Sequence, residues 1–533
     1  QEILSKTFMS ENSRVTRAVG IVGAATFLSR IFGYIRDMVV AGFFGAGPLT
    51  DAFIAAFRIP NLLRRLFGEG SLGISFVPVF TEHINLHGRK EAYELAASAV
   101  RLLSMVLAAA AVLGVIFAPW ITRAIAYGFT DSPEKFSLTV TLTRMMFPYI
   151  FFIGMVALFM GILNVLGHFA APALAPVLLN VAMIGSVLLV SRFSNDPTVR
   201  IYALAVGVLA GGVLQFVLQV PFLIKQGFNF WHKTVLLHPG LRKVGRMFMP
   251  ATFGAAVFQI NTLVINLLAS FQIDGSISYL YFADRLVQFP LGVFGIATAT
   301  AVLPSLSRQA AAEDYTALID TLSYAMRLVF FITVPAMVGL IVLRESIVAL
   351  LFQRGAFSAE ATQLTASALL YYATGLWAFA AVRIVVNAFY AMQDARTPVK
   401  IALVSITANF ILGVILMGPM GHCGLALALS LAMMLNLVLL TGSLRSRLGA
   451  LGGKKIAASA CKTALCSAIM GVVVWRISHI LIPPQPMAAG ALAGGLLAAI
   501  ITGLIVYGVL AYFFRAPELR IMSDISRNLR RDK

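Results

Sequence analysis

Apolar runs of about 20 residues, punctuated by glycine, proline and short charged stretches, recur along the whole chain. An α-helix needs a run of about that length to cross a hydrocarbon layer roughly 30 Å thick. Reading each run between its breaks gives about fourteen spans, near 15–44, 51–82, 93–118, 139–165, 172–192, 199–224, 245–271, 276–307, 316–343, 365–391, 399–418, 423–444, 456–482 and 487–513. The alternating ten-residue strands of a membrane β-barrel do not occur in the sequence. The pattern predicts an all-α polytopic membrane protein.

Composition agrees. Of 533 residues, 59% are hydrophobic and 12% charged, against about 25% charged in soluble domains. The net charge of +19 would point to nucleic acid in a soluble chain, but here the cations alternate between loops. The segments 83–92, 225–246, 308–315, 392–400 and 445–455 and both ends hold most of them, including Arg89, Lys90, Lys225, Lys233, Arg242, Lys243, Arg396, Lys400, Arg445, Arg447, Lys454 and Lys455. "GAGPLT" and "MGPMGHCG", on the other side, have none. The positive-inside rule then makes both termini cytoplasmic and leaves no nucleic-acid partner to explain. The three cysteines, Cys423, Cys461 and Cys466, match no metal spacing or disulfide framework. No cleavable signal peptide is evident, and the first apolar helix reads as retained. The opening "QEILSKTF" precedes Met9, the expected natural start, so 1–14 reads as an N-terminal segment partly foreign to the natural chain. In the tail 514–533, Leu519, Met522, Ile525 and Leu529 fall near one helical face among arginines, the pattern of a basic interfacial helix.

The chain also repeats itself. "DAFIAAFRIPNLLRRLFGEGSLGISFVPVF" resembles "SYLYFADRLVQFPLGVFGIATATAVLPSLS" about 227 positions later, placing Arg58 on Arg285. Asn164 and Asn387 each stand about eleven residues before a proline that opens the next helix. Two pseudo-symmetric six-helix lobes with two appended helices follow, an architecture common among transporters with a site between the halves.

Charge inside the spans carries the chemistry. Arg30, Arg36 and Asp37 interrupt "FLSRIFGYIRDMVVAGFFGAG", and an arginine near a bilayer centre costs about 2.5–3.5 kcal/mol. Arg58, Asn61 and Arg65 fall near one face of the second span, with Arg64 off it; Arg285 lies beside Asp284 in the eighth. Arg65 reads as paired with Glu69 at i+4, and Arg101, Arg144 and Arg327 as paired or snorkelling. The internal carboxylates Asp37, Asp51, Glu69 and Asp284 are nevertheless outnumbered by arginines. Cations in excess must face water or an anionic ligand, and guanidinium forks match the oxygens of a phosphate or pyrophosphate. Catalytic signatures are missing. Histidines 83, 87, 168, 232, 238, 422 and 479 show no metal-ligand spacing, and neither an aspartate-rich Mg²⁺ motif nor a Walker A sequence occurs. No cofactor and no metal are expected, and no carboxylate cluster singles out a coupling ion.

"SRIFGYIRD", "FGAGPLTDAFIAAFRIPNLLRRLFGEGSLGISFVPVF", "YFADRLVQFPLGVFGIATATAVLPSLS" and "NAFYAMQDARTPVKIA" resemble the MurJ (MviN) family of lipid II flippases, within the multidrug/oligosaccharidyl-lipid/polysaccharide exporter superfamily. The resemblance runs over essentially the whole native chain. It implies an alternating-access flippase, not an enzyme, carrying lipid-linked peptidoglycan precursor across the bacterial cytoplasmic (inner) membrane. Its partners would be lipid II and membrane lipids. The family's important arginines fall on Arg30, Arg36, Arg64 and Arg285, which would bind the diphosphate head group. Asp37, Asp51, Arg58, Asn61, Asp284 and Arg383 would support them. At Arg58 and Arg383 the family often has Lys, so charge is kept while hydrogen-bond geometry changes. The implied organisation is an N-lobe at 15–225, a C-lobe at 226–444, and helices thirteen and fourteen at 445–513. Those two helices would form a groove for the polyprenyl tail, with Leu496 and Ile500 on its surface. The alternatives are a polysaccharide-unit or drug exporter of the same superfamily, or a membrane enzyme acting on polyprenyl phosphates. A cationic-drug exporter should carry an acidic cavity, and an enzyme should show an acid/base residue or a metal.

Overall fold

A computed structural model of the chain describes residues 2–66, 72–230, 235–482 and 489–519. All regular structure among them is helical, as the apolar pattern predicts. The helices pack as two compact units, Gln1–Asp274 and Gly275–Lys533. The first holds α1 (Glu2–Phe44), α2 (Pro48–Leu66), α3 (Leu72–Ile116), α4 (Ala118–Ile125), α5 (Pro133–Met146), α6 (Tyr149–Val165), α7 (Ala170–Val190), α8 (Pro197–Lys225) and α9 (Pro239–Ala269). The second holds α10 (Ser276–Pro290), α11 (Ile296–Ala311), α12 (Tyr315–Val342), α13 (Arg344–Phe352), α14 (Ala359–Ala373), α15 (Leu376–Ala391), α16 (Arg396–Met420), α17 (His422–Leu448), α18 (Gly453–Leu481) and α19 (Ala489–Phe513).

Proline at the first helical position starts α2, α5, α8 and α9, where its missing N–H costs nothing. In a bilayer, helices associate through close packing of small residues. The α7–α8 contact shows why glycine is needed there. A Cβ on Gly207 would lie 2.2 Å from Ser186 Oγ, and one on Gly211 would lie 2.7 Å from Leu179 Cδ1.

The repeat read in the sequence reappears as a repeat of helix order, shifted by about 226 positions. α2 corresponds to α10, α4 to α13, α5 and α6 to α14 and α15, α7 to α16, and α8 to α17. α3 corresponds to α11 plus α12: α3 is broken at Gly88 (φ 84°, ψ 174°) where the second copy changes helix after Ala311. α18 and α19 follow outside the repeat.

Among the described residues, ten spans are long and apolar enough to cross a membrane, α5 with α6 and α10 with α11 each counted as one, or eleven counting α14 and α15, which meet at 41°, as one bent span. The sequence count of about fourteen also included the regions of α1, α2 and α9. α1 and α2 carry charge within the run, Arg30, Arg36 and Asp37 in α1 and Asp51, Arg58, Arg64 and Arg65 in α2, and the apolar stretch among the described residues of α9 is the short Gln259–Ala269. Three further details differ from expectation. Segment 83–92, read as a loop, is helical on both sides of the Gly88 break. The short helices α4 and α13, each about two turns long, escaped the search for 20-residue runs. Leu496, read as groove-facing, is only 6% exposed and packs with Cys466, Met470 and Val474 of α18; Ile500 is exposed at 39%. A one-residue error in placing a helical face rotates a side chain by about 100°, enough to exchange core for surface. Glu69, with the pairing read for Arg65, lies outside the described residues, as do Met522, Ile525 and Leu529 of the tail.

The turn before α16 carries a strongly held carboxylate. Asp394 Oδ1 accepts from the backbone N–H groups of Arg396 and Thr397, both at 3.0 Å. Its Oδ2 accepts from Thr397 Oγ1 at 2.6 Å and from Arg447 Nη1 at 2.6 Å. Burial alone would raise this carboxyl, but the hydrogen bonds from Thr397 and the Arg447 charge outweigh it and lower it from 3.8 to about 2. A depressed folded-state pKa stabilises fully above the unfolded value and is lost as pH falls through the folded one. The melting-temperature gap between wild type and Asp394→Ala should therefore be wide at neutral pH and narrow between about pH 4 and pH 2. A gap independent of pH would show that the carboxylate charge is irrelevant to this turn.

Candidate substrate site

In the first unit, charged side chains are held by specific partners on neighbouring helices. Arg36 on α1 is buried. Its Nε and Nη2 donate to Asp37 Oδ1 at 3.1 and 2.7 Å, and its Nη1 donates to Asn180 Oδ1 on α7 at 3.1 Å. The Asn180 amide donates to the carbonyls of Ser29 at 3.2 Å and Pro176 at 3.3 Å. Arg36 is thus a charge-compensated guanidinium fixed in orientation rather than an unpaired cation. Arg30, two turns earlier on the same helix, is exposed.

α2 carries charge at both ends with the sign that suits its dipole, Asp51 in the first turn and Arg64 and Arg65 in the last. Asp51, 1% exposed, accepts from Lys135 Nζ of α5 at 2.9 Å. The same ammonium, 8% exposed, donates to Asp274 Oδ1 at 2.7 Å and sits 4.1 Å from the centre of the Phe129 ring. Midway along α2, Arg58 Nε donates to Asn266 Oδ1 of α9 at 3.3 Å, and Asn266 Nδ2 donates to the Ile125 carbonyl at 2.8 Å. Arg64 Nε donates to Asn61 Oδ1 at 3.1 Å, one turn back on its own helix. Buried Tyr149 packs its ring 6.3 Å from that of Phe57 and lies within electrostatic reach of both Arg64 and Arg36. The amide partners orient Arg58 and Arg64 without cancelling a charge.

In the second unit, Arg285 Nη2 donates to Tyr281 Oη at 2.9 Å on the same face of α10. Asp284 accepts from Gln288 Nε2 at 3.3 Å. Arg383 is exposed on α15, and Asn387 Nδ2 ties α15 to the Ala299 carbonyl of α11 at 2.8 Å. Arg327, read as paired or snorkelling, lies 3.6 Å from Glu518, which also accepts from Ser459 Oγ at 2.9 Å.

Sequence reading missed Lys135, Asp274, Asn180 and Asn266. Asn180 and Asn266 could have been found, because each is an isolated polar residue in an apolar run, and such residues inside a membrane usually bond something. Lys135 stands two residues after a helix-opening proline, between the stretches 93–118 and 139–165 read as spans.

Residues 40–485 match the family described as lipid II flippase MurJ. The chain belongs to that family. It is 37% identical over 511 residues to the probable lipid II flippase MurJ of Vibrio cholerae, covering 94% of this chain and 95% of that one. It is 38% identical over 440 residues to lipid II flippase MurJ of Burkholderia cenocepacia, covering 81% and 84%. Among solved structures, a lipid II flippase MurJ in an inward closed conformation matches with a TM-score of 0.77 and 28% identity, over 93% of this chain and 98% of that one. An inward-facing multidrug transporter of the MATE family matches with a TM-score of 0.66 over 82% and 99% of the two chains. At 14% identity it shares the fold alone. The family inferred from the sequence motifs is thereby established.

Proposed function

We propose that this chain moves lipid II across the bacterial cytoplasmic membrane by alternating access. The observation that carries the reading is similarity over nearly full length, on both sides, to a relative named as a probable lipid II flippase, together with the match to the lipid II flippase family over residues 40–485. Arg30, Arg36, Arg64 and Arg285 bind the diphosphate of the head group, where guanidinium forks meet phosphate oxygens two at a time. The Arg36–Asp37–Asn180 network supports this assignment, since a guanidinium held in place loses less freedom on binding. Asp51, Lys135 and Asp274 set the position of α2, and Arg58 is aimed by Asn266. The reading requires no cofactor. The exposed apolar residues of α18 and α19, among them Val472, Trp475, Leu497, Leu504 and Ile505, suit contact with lipid acyl or polyprenyl chains.

The test is reconstitution of the purified full chain in vesicles with labelled lipid II on one leaflet. Protein-dependent appearance of intact lipid II on the other leaflet is expected. Movement of other lipid-linked sugars with equal ease would favour the broader exporter reading, and chemical conversion of the substrate would favour an enzyme.

Both termini lie on the cytoplasmic side. In a background lacking Cys423, Cys461 and Cys466, cysteines at Gly47 and Gly418 should react with an impermeant thiol reagent in intact spheroplasts. Cysteines at Lys90 and Lys454 should react only after lysis. The opposite labelling pattern would reverse the orientation.

A further inference from the structure

The break in α3 gathers three side chains that the sequence keeps apart. His83 and His87 lie one turn apart before Gly88, and Glu91 follows it. One ligand atom from each lies within 4.8 Å of the other two. In an unbroken helix His83 and Glu91 would be about 12 Å apart along the axis. The left-handed backbone of Gly88 removes that separation. The expectation of no metal-ligand grouping among the histidines therefore fails at this point, because the third ligand is supplied across a break that spacing rules for regular helices do not see.

The ring of His83 is already set for such a role. Its Nδ1 lies 2.8 Å from the Val79 carbonyl, which can only accept, so Nδ1 carries the proton and Nε2 keeps its lone pair. Metal-bound histidines are generally held in this way by their other nitrogen. The His87 ring lies tilted beside it with ring centres 5.3 Å apart, and His87 is exposed. Neighbouring groups have other duties. Glu82 is paired with Lys243 of α9 at 2.5 Å. His238, whose ring lies edge-on 5.6 Å from His83, accepts from the Gly240 N–H through Nδ1 and so caps α9.

We propose that His83, His87 and Glu91 form a binding site for a divalent first-row transition ion of the Zn²⁺ class. Two imidazoles and one carboxylate are a Zn²⁺ donor set with a fourth position open to water. Mg²⁺ and Ca²⁺ prefer all-oxygen shells and are disfavoured. Tetrahedral coordination with ~2.0–2.1 Å bonds puts donors about 3.3 Å apart, so modest side-chain rotations close the present gap. A bound ion ties the two arms of α3 together across Gly88, next to the start of α9.

The experiment uses the full-length protein in detergent, prepared without a histidine tag and stripped with a chelator. Zn²⁺ alone is titrated against a chromophoric competitor, and Co²⁺ is followed by its visible absorption. One equivalent of Zn²⁺ should bind, with an intense tetrahedral Co²⁺ spectrum, and excess Mg²⁺ should not displace it. His87→Ala and Glu91→Gln should each lower affinity about 100-fold, whereas His479→Ala should not change it. Both altered positions are on the surface or half-buried, and unchanged melting without metal will show that the fold is intact. No stoichiometric binding by wild type, or equal binding by wild type and both site variants, would overturn the proposal.

Discussion

Lys135→Ala should destabilise the first unit by about 3–5 kcal/mol, the usual cost of removing one partner from a buried ion pair. The loss is large because Asp51 is 1% exposed and would lose the ammonium that now lies 2.9 Å away. Lys135 also bridges to Asp274, so two chain segments lose a shared tether. Asp51→Asn in the same chain should recover much of the stability, since a neutral amide does not need the lysine's counter-charge. Lys135→Met with Asp51→Asn should recover more, because a thioether against the Phe129 ring fills the space the ammonium leaves. Thermal melting of these proteins, together with the single variants Asp51→Asn and Lys135→Met, in one detergent measures this. Additive losses in the double variants would mean that the pair is not coupled, and the account of how α2 is anchored would have to change.

Alanine at Arg30, Arg36, Arg64 or Arg285 should abolish growth of a cell that depends on this protein as its flippase, while the protein still inserts. Hydrogen bonds to a charged group contribute about 1.5–3 kcal/mol each, so losing one guanidinium should weaken head-group binding about 10- to 100-fold. Arg285→Ala removes, among its contacts, the hydrogen bond to Tyr281 Oη, in which the partner is a hydroxyl and not a carboxylate. Arg36→Ala also takes the cation away from Asp37, 3% exposed, and needs the companion Arg36→Ala with Asp37→Ala to separate folding from binding. Lysine should restore charge but not the two-pronged geometry, and should rescue poorly at any position where the phosphate is gripped by both prongs. Normal growth with all four positions changed to alanine would remove the arginines from the substrate site.

Much of the fold could be read in advance because bilayer helices are long, apolar and written contiguously. Arg58 fell on Arg285 by sequence alone, and the helix order then repeated around that match. What escaped depends on distance in space. Lys135 and Asp51 are 84 positions apart, and no local periodicity links them. The Arg36–Asp37 bond escaped for another reason: adjacent residues on a helix do not normally face each other, yet the long arginine side chain turns back to reach its neighbour. Glu518 was left out of the count of internal acids because it follows the last apolar run, although it is buried beside Arg327. Short helices such as α4 and α13 fall below the length at which the bilayer imprints its thickness on the sequence.

Asn180 has a mechanical consequence. Its amide grips α1 at two heights, the Ser29 carbonyl and the Arg36 guanidinium, seven positions and about two turns apart. A rod clasped twice along its length can neither pivot nor slide on its support while both clasps hold. While both hold, α1 and α7 move as one piece, and bending of α1 is confined to stretches outside the clasp, before Ser29 or beyond Arg36.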